Sequence, residues 1–108
     1  MTKKVHILDV TNRDGVQTAR IGLSKLQKTM LNLYLSRLGV YQVDMGFPFT
    51  IQEKNYINAN ESLKSKGALR DLILEGWCRA VKGDVEFAME NTKLDTLNLS
   101  ISTSTIMT

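Results

Sequence analysis

The sequence contains a single cysteine, a single histidine and a single proline among its 108 residues. One cysteine, Cys78, rules out an intrachain disulfide, and with the lone His6 it also rules out a Cys/His zinc cluster built by this chain alone. No apolar run is long enough to cross a membrane, and the first apolar segment, residues 5–10, is too short for the hydrophobic core of a signal peptide. We therefore expect a protein of a reducing, cytoplasmic compartment.

The excess of positive over negative charge is also small. The chain carries 14 Lys and Arg against 11 Asp and Glu, a net charge of +3, and the basic residues are scattered among the acids. This pattern gives no nucleic-acid footprint and no membrane-binding surface. The length is that of one small domain, and the 43% hydrophobic content is sufficient for a packed core.

Short apolar runs alternate with helical periodicity along the whole chain, without a linker or a low-complexity segment. The pattern predicts strands at 5–10, 40–45, 69–76 and 94–102. It predicts helices between Ser24 and Gly39, at 51–66 and at 82–93. Repeated βα units predict an α/β fold with a parallel sheet, which would be either a small open sheet or half of an eight-stranded barrel. The sequence ends directly after the fourth predicted strand, before a helix that would cover it, and this favours the half barrel.

The first helix has signals at both ends. Ser24 is its expected N-cap and Gly39 follows its end. Its apolar residues fall at spacings of three and four, which is typical of an amphipathic helix: Leu23, Leu26, Met30, Leu33, Tyr34 and Leu38.

Polar residues gather where the first strand ends. Alternation along the strand places Asp9 and Arg13 on one side, and Asp14 opens the loop that follows. Ligand sites of α/β proteins lie at the carboxyl ends of parallel strands. Asp14 is therefore placed to bind a hard divalent ion, and Arg13 to stabilise negative charge that develops on an oxygen. An ordinary surface Arg–Asp pair remains an equal alternative from these residues alone.

Two segments carry a resemblance to a known family. Residues 9–17, Asp-Val-Thr-Asn-Arg-Asp-Gly-Val-Gln, and residues 43–48, Val-Asp-Met-Gly-Phe-Pro, resemble the first two barrel strands of the homocitrate synthase and 2-isopropylmalate synthase family. These are metal-dependent TIM-barrel acyltransferases related to hydroxymethylglutaryl-CoA lyase. The resemblance implies that residues 1–108 are a partial, pyruvate carboxyltransferase-like catalytic domain: the N-terminal half of a (β/α)8 barrel, truncated after its fourth strand. The first motif and the Gly-Phe-Pro-Phe turn are most similar to the homocitrate and Re-citrate synthase branch.

The family's chemistry is a Claisen condensation in amino-acid biosynthesis and related pathways. Acetyl-CoA loses a methyl proton, the enolate attacks the keto carbon of a 2-oxo acid, and thioester hydrolysis releases the product. The resemblance implies a divalent ion (Mg, Mn or Zn) with Asp14 as a metal ligand, Arg13 as the catalytic arginine and Gln17 as a substrate-binding amide. The first substrates to consider are 2-oxoglutarate and oxaloacetate, and the isopropylmalate and citramalate branches remain open.

Further positions are candidates for substrate binding. Asp44 stands where the family usually has glutamate, although a buried carboxylate paired to Arg13 or Arg79 is equally compatible. Glu75 and Trp77, at the carboxyl end of the third strand, are candidates for selectivity, and Trp77 could equally be a packing wedge. Arg79, just beyond that strand, matches a recurrent arginine, but a structural ion pair is the favoured reading.

The last segment departs from the family. Thr103 opens Thr-Ser-Thr-Ile-Met, where the family has an acid and a histidine, and it remains a candidate for substrate contact. The family's later His-x-His metal pair is also absent. We therefore expect no turnover by the chain alone, and association with a complementary C-terminal half or with itself. The alternatives are a non-catalytic half barrel that binds a partner and a fragment of a hydroxymethylglutaryl-CoA-type lyase. Asp9 should support the strand end by hydrogen bonds, His6 should have a structural or surface role, and Cys78 should be a partly buried, inert thiol.

Overall fold

The structure is a computed structural model that describes residues 4–15 and 24–101. Its strands form one parallel sheet, in which neighbouring strands follow one another in chain order. The elements, in chain order, are β1 (Leu8–Asp9), a π-helical turn (Thr11–Gly15), α1 (Lys25–Leu38), β2 (Gln42–Asp44), α2 (Ile51–Ser65), β3 (Ile73–Arg79), α3 (Lys82–Asn91) and β4 (Thr96–Ser100). Sequential parallel strands with intervening helices are the arrangement of the first half of a (β/α)8 barrel, so the predicted α/β class is confirmed. Within the described ranges, no helix is both long and apolar enough to cross a membrane.

Helix α1 begins and ends where its sequence signals predict. The Ser24 side chain accepts a hydrogen bond from the Gln27 backbone, and the Gln27 side chain accepts one from the Ser24 backbone, which completes a capping box. Gly39 ends the helix in the left-handed region at φ 81°. Both ends are therefore determined by local chemistry.

The buried face of α1 is not the face that carries most of its apolar residues. The buried residues of the helix are Lys28, Asn32, Leu35 and Ser36. The residues that predicted an amphipathic helix include four exposed side chains: Leu26, Met30, Tyr34 and Leu38. The helix itself was predicted correctly, but its inner face is largely polar because Asn32 and Lys28 make contacts beneath it.

The third strand was predicted too early. Residues 69–76 were expected to form it, whereas β3 is Ile73–Arg79. Leu69 and Leu72 are buried, but they lie in the turns that follow α2, where Arg70 adopts a positive φ of 52°. An apolar run that fills the core in a turn has the same composition as a buried strand, which explains the error. As a consequence, Arg79 is the last residue of β3 and does not lie beyond it.

The core lies between the sheet and the helices. Val43 and Leu74 are in-register partners on β2 and β3, and both pack against α2 through the fully buried Tyr56 and Ile57. On the same face of β3, a Cβ at Gly76 would lie 2.6 Å from Leu94 Cδ1. This close packing fixes the position of β3, and with it the residues that point to the other face.

Candidate functional site

The turn after β1 positions the first motif. Asp9 Oδ1 accepts a hydrogen bond from the Thr11 backbone at 2.9 Å, as the sequence predicted for the strand end. The carbonyl of Val10 accepts from the Gly15 N–H at 3.1 Å, which closes a single π-helical turn around Arg13. Such turns are frequent at functional sites.

Three predicted site positions lie beyond this description. The side chain of Asp14 and the whole of Gln17 and Thr103 fall outside the described residues. Their proposed roles, as metal ligand and as substrate contacts, therefore stay predictions.

Arg13 and Asp44 form the centre of the site. Arg13 Nε donates to Asp44 Oδ2 at 2.6 Å, and the Gly46 N–H donates to Asp44 Oδ1 at 2.9 Å. The Asp44 side chain is fully buried, and Gly46 reaches it with a φ of 98°, a conformation that glycine adopts readily. Both oxygens of Asp44 are thus engaged, one of them in a charge-assisted bond. The sequence left this buried pairing open for Asp44, and the structure contains it.

Glu75 lies beside Asp44 on the same face of the sheet. The register pairs the two residues directly, and parallel neighbours in register project their side chains to one side. Glu75 is 1% exposed, and within the described ranges its Oε2 has no hydrogen-bond partner. Burial raises the pKa of Glu75, and the negative charge of Asp44 raises it further, while hydrogen bonds from Gln42 and Asn98 and the charge of Arg13 oppose the shift.

Aromatic rings border this pair of carboxyl groups. The Arg13 guanidinium lies 5.4 Å from the centre of the Trp77 ring, within cation–π range. The Trp77 ring packs on Phe47 at 4.8 Å between centroids, and Phe47 packs on Phe49 at 4.4 Å. Trp77 therefore has a packing role and also contacts the cation of the site. Its predicted role in substrate selectivity stays a prediction.

Arg79 lies at the carboxyl end of β3 and is held by Asp84. Its Nε and Nη2 donate to the two oxygens of Asp84 at 2.8 and 3.0 Å, a bidentate fork. The hydrogen bonds and charges of the pair raise the pKa of Arg79 and lower the pKa of Asp84. This is the structural ion pair that the sequence favoured. A substrate that used Arg79 would have to compete with Asp84 for the guanidinium.

A buried network of side-chain amides, which the sequence analysis missed, supports the turn. Asn12 Nδ2 donates to Asn32 Oδ1 at 3.0 Å, and Asn32 Nδ2 donates to Tyr56 Oη at 2.9 Å and to Asn60 Oδ1 at 3.1 Å. Asn32 and Asn60 are fully buried, and burial raises the pKa of Tyr56 to about 12. The network joins the π-helical turn to α1 and α2. Its only sequence signal is the placement of asparagine, a poor helix former, inside two helices.

A cavity of about 190 Å³ opens beside the site. Its lining includes Arg13, Phe47 and an ion pair in which Lys28 Nζ lies 3.1 Å from Glu53 Oε1. The cavity gives a ligand room to reach the Arg13 side of the turn.

The described residues do not by themselves fit a metal ion. No group of three His, Cys, Asp or Glu side chains among them could hold one, and both oxygens of Asp44 are already engaged. Cys78 is buried, and burial raises the pKa of its thiol, which agrees with an inert side chain. His6 stacks on Tyr41 at 3.8 Å, before the start of β1.

Comparison with known proteins adds independent findings. The family model described as HMGL-like matches residues 4–108. A citrate (Re)-synthase of Dehalococcoides mccartyi is 54% identical over 94% of this chain, and a probable 2-isopropylmalate synthase of Ignicoccus hospitalis is 32% identical over 98% of it. Homocitrate synthase AksA of Methanocaldococcus jannaschii is 33% identical over 82% of the chain. The chain spans about a quarter of the length of these curated relatives, 25%, 25% and 21% respectively.

Proposed function

The chain belongs to the HMGL-like family, and on that premise we propose that it is the N-terminal part of an acetyl-CoA-dependent 2-oxo acid acyltransferase of the citrate or homocitrate synthase type. The observation that carries this proposal is the cluster at the carboxyl edge of the sheet, where the buried Asp44 orients Arg13 and is the in-register neighbour of Glu75. The identity to a citrate (Re)-synthase supports oxaloacetate as the first oxo acid, with 2-oxoglutarate as the second.

In this proposal, Arg13 stabilises the oxyanion that develops when the keto carbon is attacked. The bond from its Nε to Asp44 fixes the plane of the guanidinium, so little reorganisation is needed as the charge forms. Trp77 packs beside the guanidinium and Phe47 packs on Trp77, so the two rings form an apolar border next to the cation. Each of these roles depends on geometry that the fold sets before substrate arrives.

The divalent ion of the family belongs to the proposal with Asp14 as one ligand. When bound, such an ion supplies Lewis-acid polarisation of the oxo acid. Since the described residues contain no three-ligand cluster, the other ligands would come from outside them. We also propose that residues 1–108 are part of a TIM-barrel catalytic domain and that the isolated chain has no turnover, because the curated relatives are about four times as long.

The test uses a chimera in which residues 1–108 replace the matching segment of the Dehalococcoides mccartyi citrate (Re)-synthase. The remaining three quarters of the chimera come from that relative. Release of CoA thiol from acetyl-CoA is measured with Mn²⁺ and with oxaloacetate, 2-oxoglutarate or 2-oxoisovalerate. We expect turnover with oxaloacetate that falls by about 100-fold or more in Arg13→Lys, the typical cost of losing an oxyanion donor. Arg37→Lys, at an exposed position on α1, is the matched control and should be unchanged.

Three outcomes would contradict the proposal. A chimera that folds but releases no thiol with any of the three oxo acids would favour a non-catalytic module. Thiol release by the isolated 108-residue chain would contradict the need for the rest of the barrel. Turnover with 2-oxoisovalerate alone would overturn the assignment to the citrate and homocitrate branch.

A further inference from the structure

We propose that Glu75 is kept as a neutral carboxylic acid and donates a hydrogen bond from Oε2 to a carbonyl or carboxylate oxygen of the 2-oxo acid. This inference rests on the proposed function for the identity of the ligand. It assigns Glu75 a chemical form and a donor role, in contrast to Asp44, which accepts hydrogen bonds from Arg13 and Gly46.

The Arg13 cation is shared unequally between two adjacent carboxyl groups, Asp44 and Glu75. Asp44 and Glu75 are direct partners in the β2–β3 register, and their side chains occupy the same face. Arg13 Nε bonds to Asp44 at 2.6 Å, and the Gly46 N–H takes the other Asp44 oxygen. Two buried anions at this spacing would repel each other, so the less well paired carboxyl group retains its proton.

The surroundings of Glu75 also favour its neutral form. The residue is 1% exposed, and its Oε2 has no hydrogen-bond partner in the described part of the chain. Burying a charged carboxylate oxygen without a partner is strongly unfavourable, whereas a neutral acid avoids most of this cost. A protonated Oε2 then presents an O–H group that has no acceptor in the described part of the chain and that a ligand oxygen would satisfy.

The charged and hydrogen-bonding groups that influence the pKa of Glu75 lie on each of the neighbouring elements. Asp44 and Gln42 face it from β2, Asn98 faces it from β4, and Arg13 faces it from the π-helical turn. Burial is the dominant influence on the pKa of Glu75, followed by the charge of Asp44, and both raise it. The hydrogen bonds and the Arg13 charge reduce the shift without reversing its direction.

The chemistry of the face selects the ligand. Arg13 supplies a cation and Glu75 supplies a neutral donor within one layer of side chains, and both are complementary to the oxygens of an oxo acid. Trp77 lies two residues beyond Glu75 on the same strand face and its ring contacts the Arg13 guanidinium. An oxo acid with its carbonyl and carboxylate oxygens in a row satisfies these groups together.

The experiment uses the same chimera with Glu75→Gln and Glu75→Leu. Glutamine keeps a neutral donor of nearly equal size, so the KM for oxaloacetate should stay within about threefold of the parent. Leucine removes the donor and should raise the KM by about tenfold or more, the effect of losing one hydrogen bond to a buried polar group. The KM of the parent should rise with pH as Glu75 ionises, and Glu75→Gln should abolish that rise.

A second measurement needs no turnover. The infrared spectrum of the chimera without substrate should show the C=O stretching band of a protonated carboxylic acid at neutral pH, and Glu75→Gln should remove it. Glu90→Gln, at an exposed position on α3, is the control and should leave the band in place. A missing band, or a glutamine variant as impaired as the leucine variant, overturns the inference. A present band in a chimera without turnover supports neutral Glu75 and counts against the proposed function instead.

Discussion

The buried amide network predicts a large loss of stability in Asn32→Ala. Asn32 is fully buried. It accepts a hydrogen bond from Asn12 at 3.0 Å and donates to Tyr56 Oη at 2.9 Å, to Asn60 Oδ1 at 3.1 Å and, more weakly, to Met45 Sδ at 3.7 Å. Alanine removes all of them. Asn12 keeps a bond to the Lys28 carbonyl at 3.0 Å, whereas the bond from Asn32 is the one that satisfies Asn60 Oδ1.

The magnitude follows from these losses. Each hydrogen bond contributes about 1 kcal/mol net, and an unsatisfied buried carbonyl adds about 1–3 kcal/mol. Alanine returns roughly 0.5 kcal/mol because it is the better helix former. Counting the three bonds between nitrogen and oxygen atoms, the free energy of unfolding should therefore fall by about 3.5–5.5 kcal/mol, a large part of the roughly 5–15 kcal/mol that stabilises a typical domain.

The assay is urea unfolding followed by the fluorescence of the single tryptophan, Trp77, and by far-ultraviolet circular dichroism. Asn55→Ala, at an exposed position on α2, is the control and should change the free energy of unfolding by less than about 0.5 kcal/mol. Asn60→Ala combined with Asn32→Ala should cost less than the sum of the single changes, because the two residues share a bond. A loss below about 1 kcal/mol in Asn32→Ala would refute the reasoning.

Two further predictions concern packing and pH. Gly76→Ala should destabilise the fold by about 1–3 kcal/mol in urea unfolding, since its Cβ would lie 2.6 Å from Leu94 Cδ1. Gly83→Ala is the control and should be neutral or slightly stabilising, because its Cβ would have nothing within 4 Å. Equal effects of the two substitutions would contradict the packing argument. Arg79 lowers the pKa of Asp84 in the folded protein. The pair therefore stabilises the fold at pH values above about 4, the pKa of this carboxyl group in the unfolded chain. The stabilisation is lost as pH falls through the lower pKa that Asp84 has in the folded state. Acid unfolding should therefore be shallower in Asp84→Asn, and an unchanged acid profile would contradict the role of the pair.

Local signals predicted the helices better than the strands. Ser24 and Gly39 act within one turn of α1, so its ends could be read from the sequence. The start of β3 could not, because Leu69 and Leu72 are buried in a turn, and burial alone does not distinguish a turn from a strand. Only the packing of α2 against the sheet decides that difference.

The candidate site was predicted in part for a similar reason. Arg13 stands in a contiguous motif, and the expectation that parallel strands end at one edge brought it near Asp44, 31 residues away. The amide network joins Asn12, Asn32 and Asn60 from three separate elements, and no spacing along the chain relates them. Contacts of this kind depend on how the helices dock, which the sequence pattern does not contain.

The π-helical turn has a consequence for insertions and deletions. Surface loops usually tolerate changes of length, but the bond from Gly15 to Val10 spans a fixed number of residues around Arg13. Losing one residue would convert the closure to that of an ordinary α-turn, and each residue of a helix rotates its neighbours by about 100°. Arg13 would then point away from Asp44. A segment that lies between a strand and a helix, where length is commonly free, therefore behaves like the interior of a secondary-structure element.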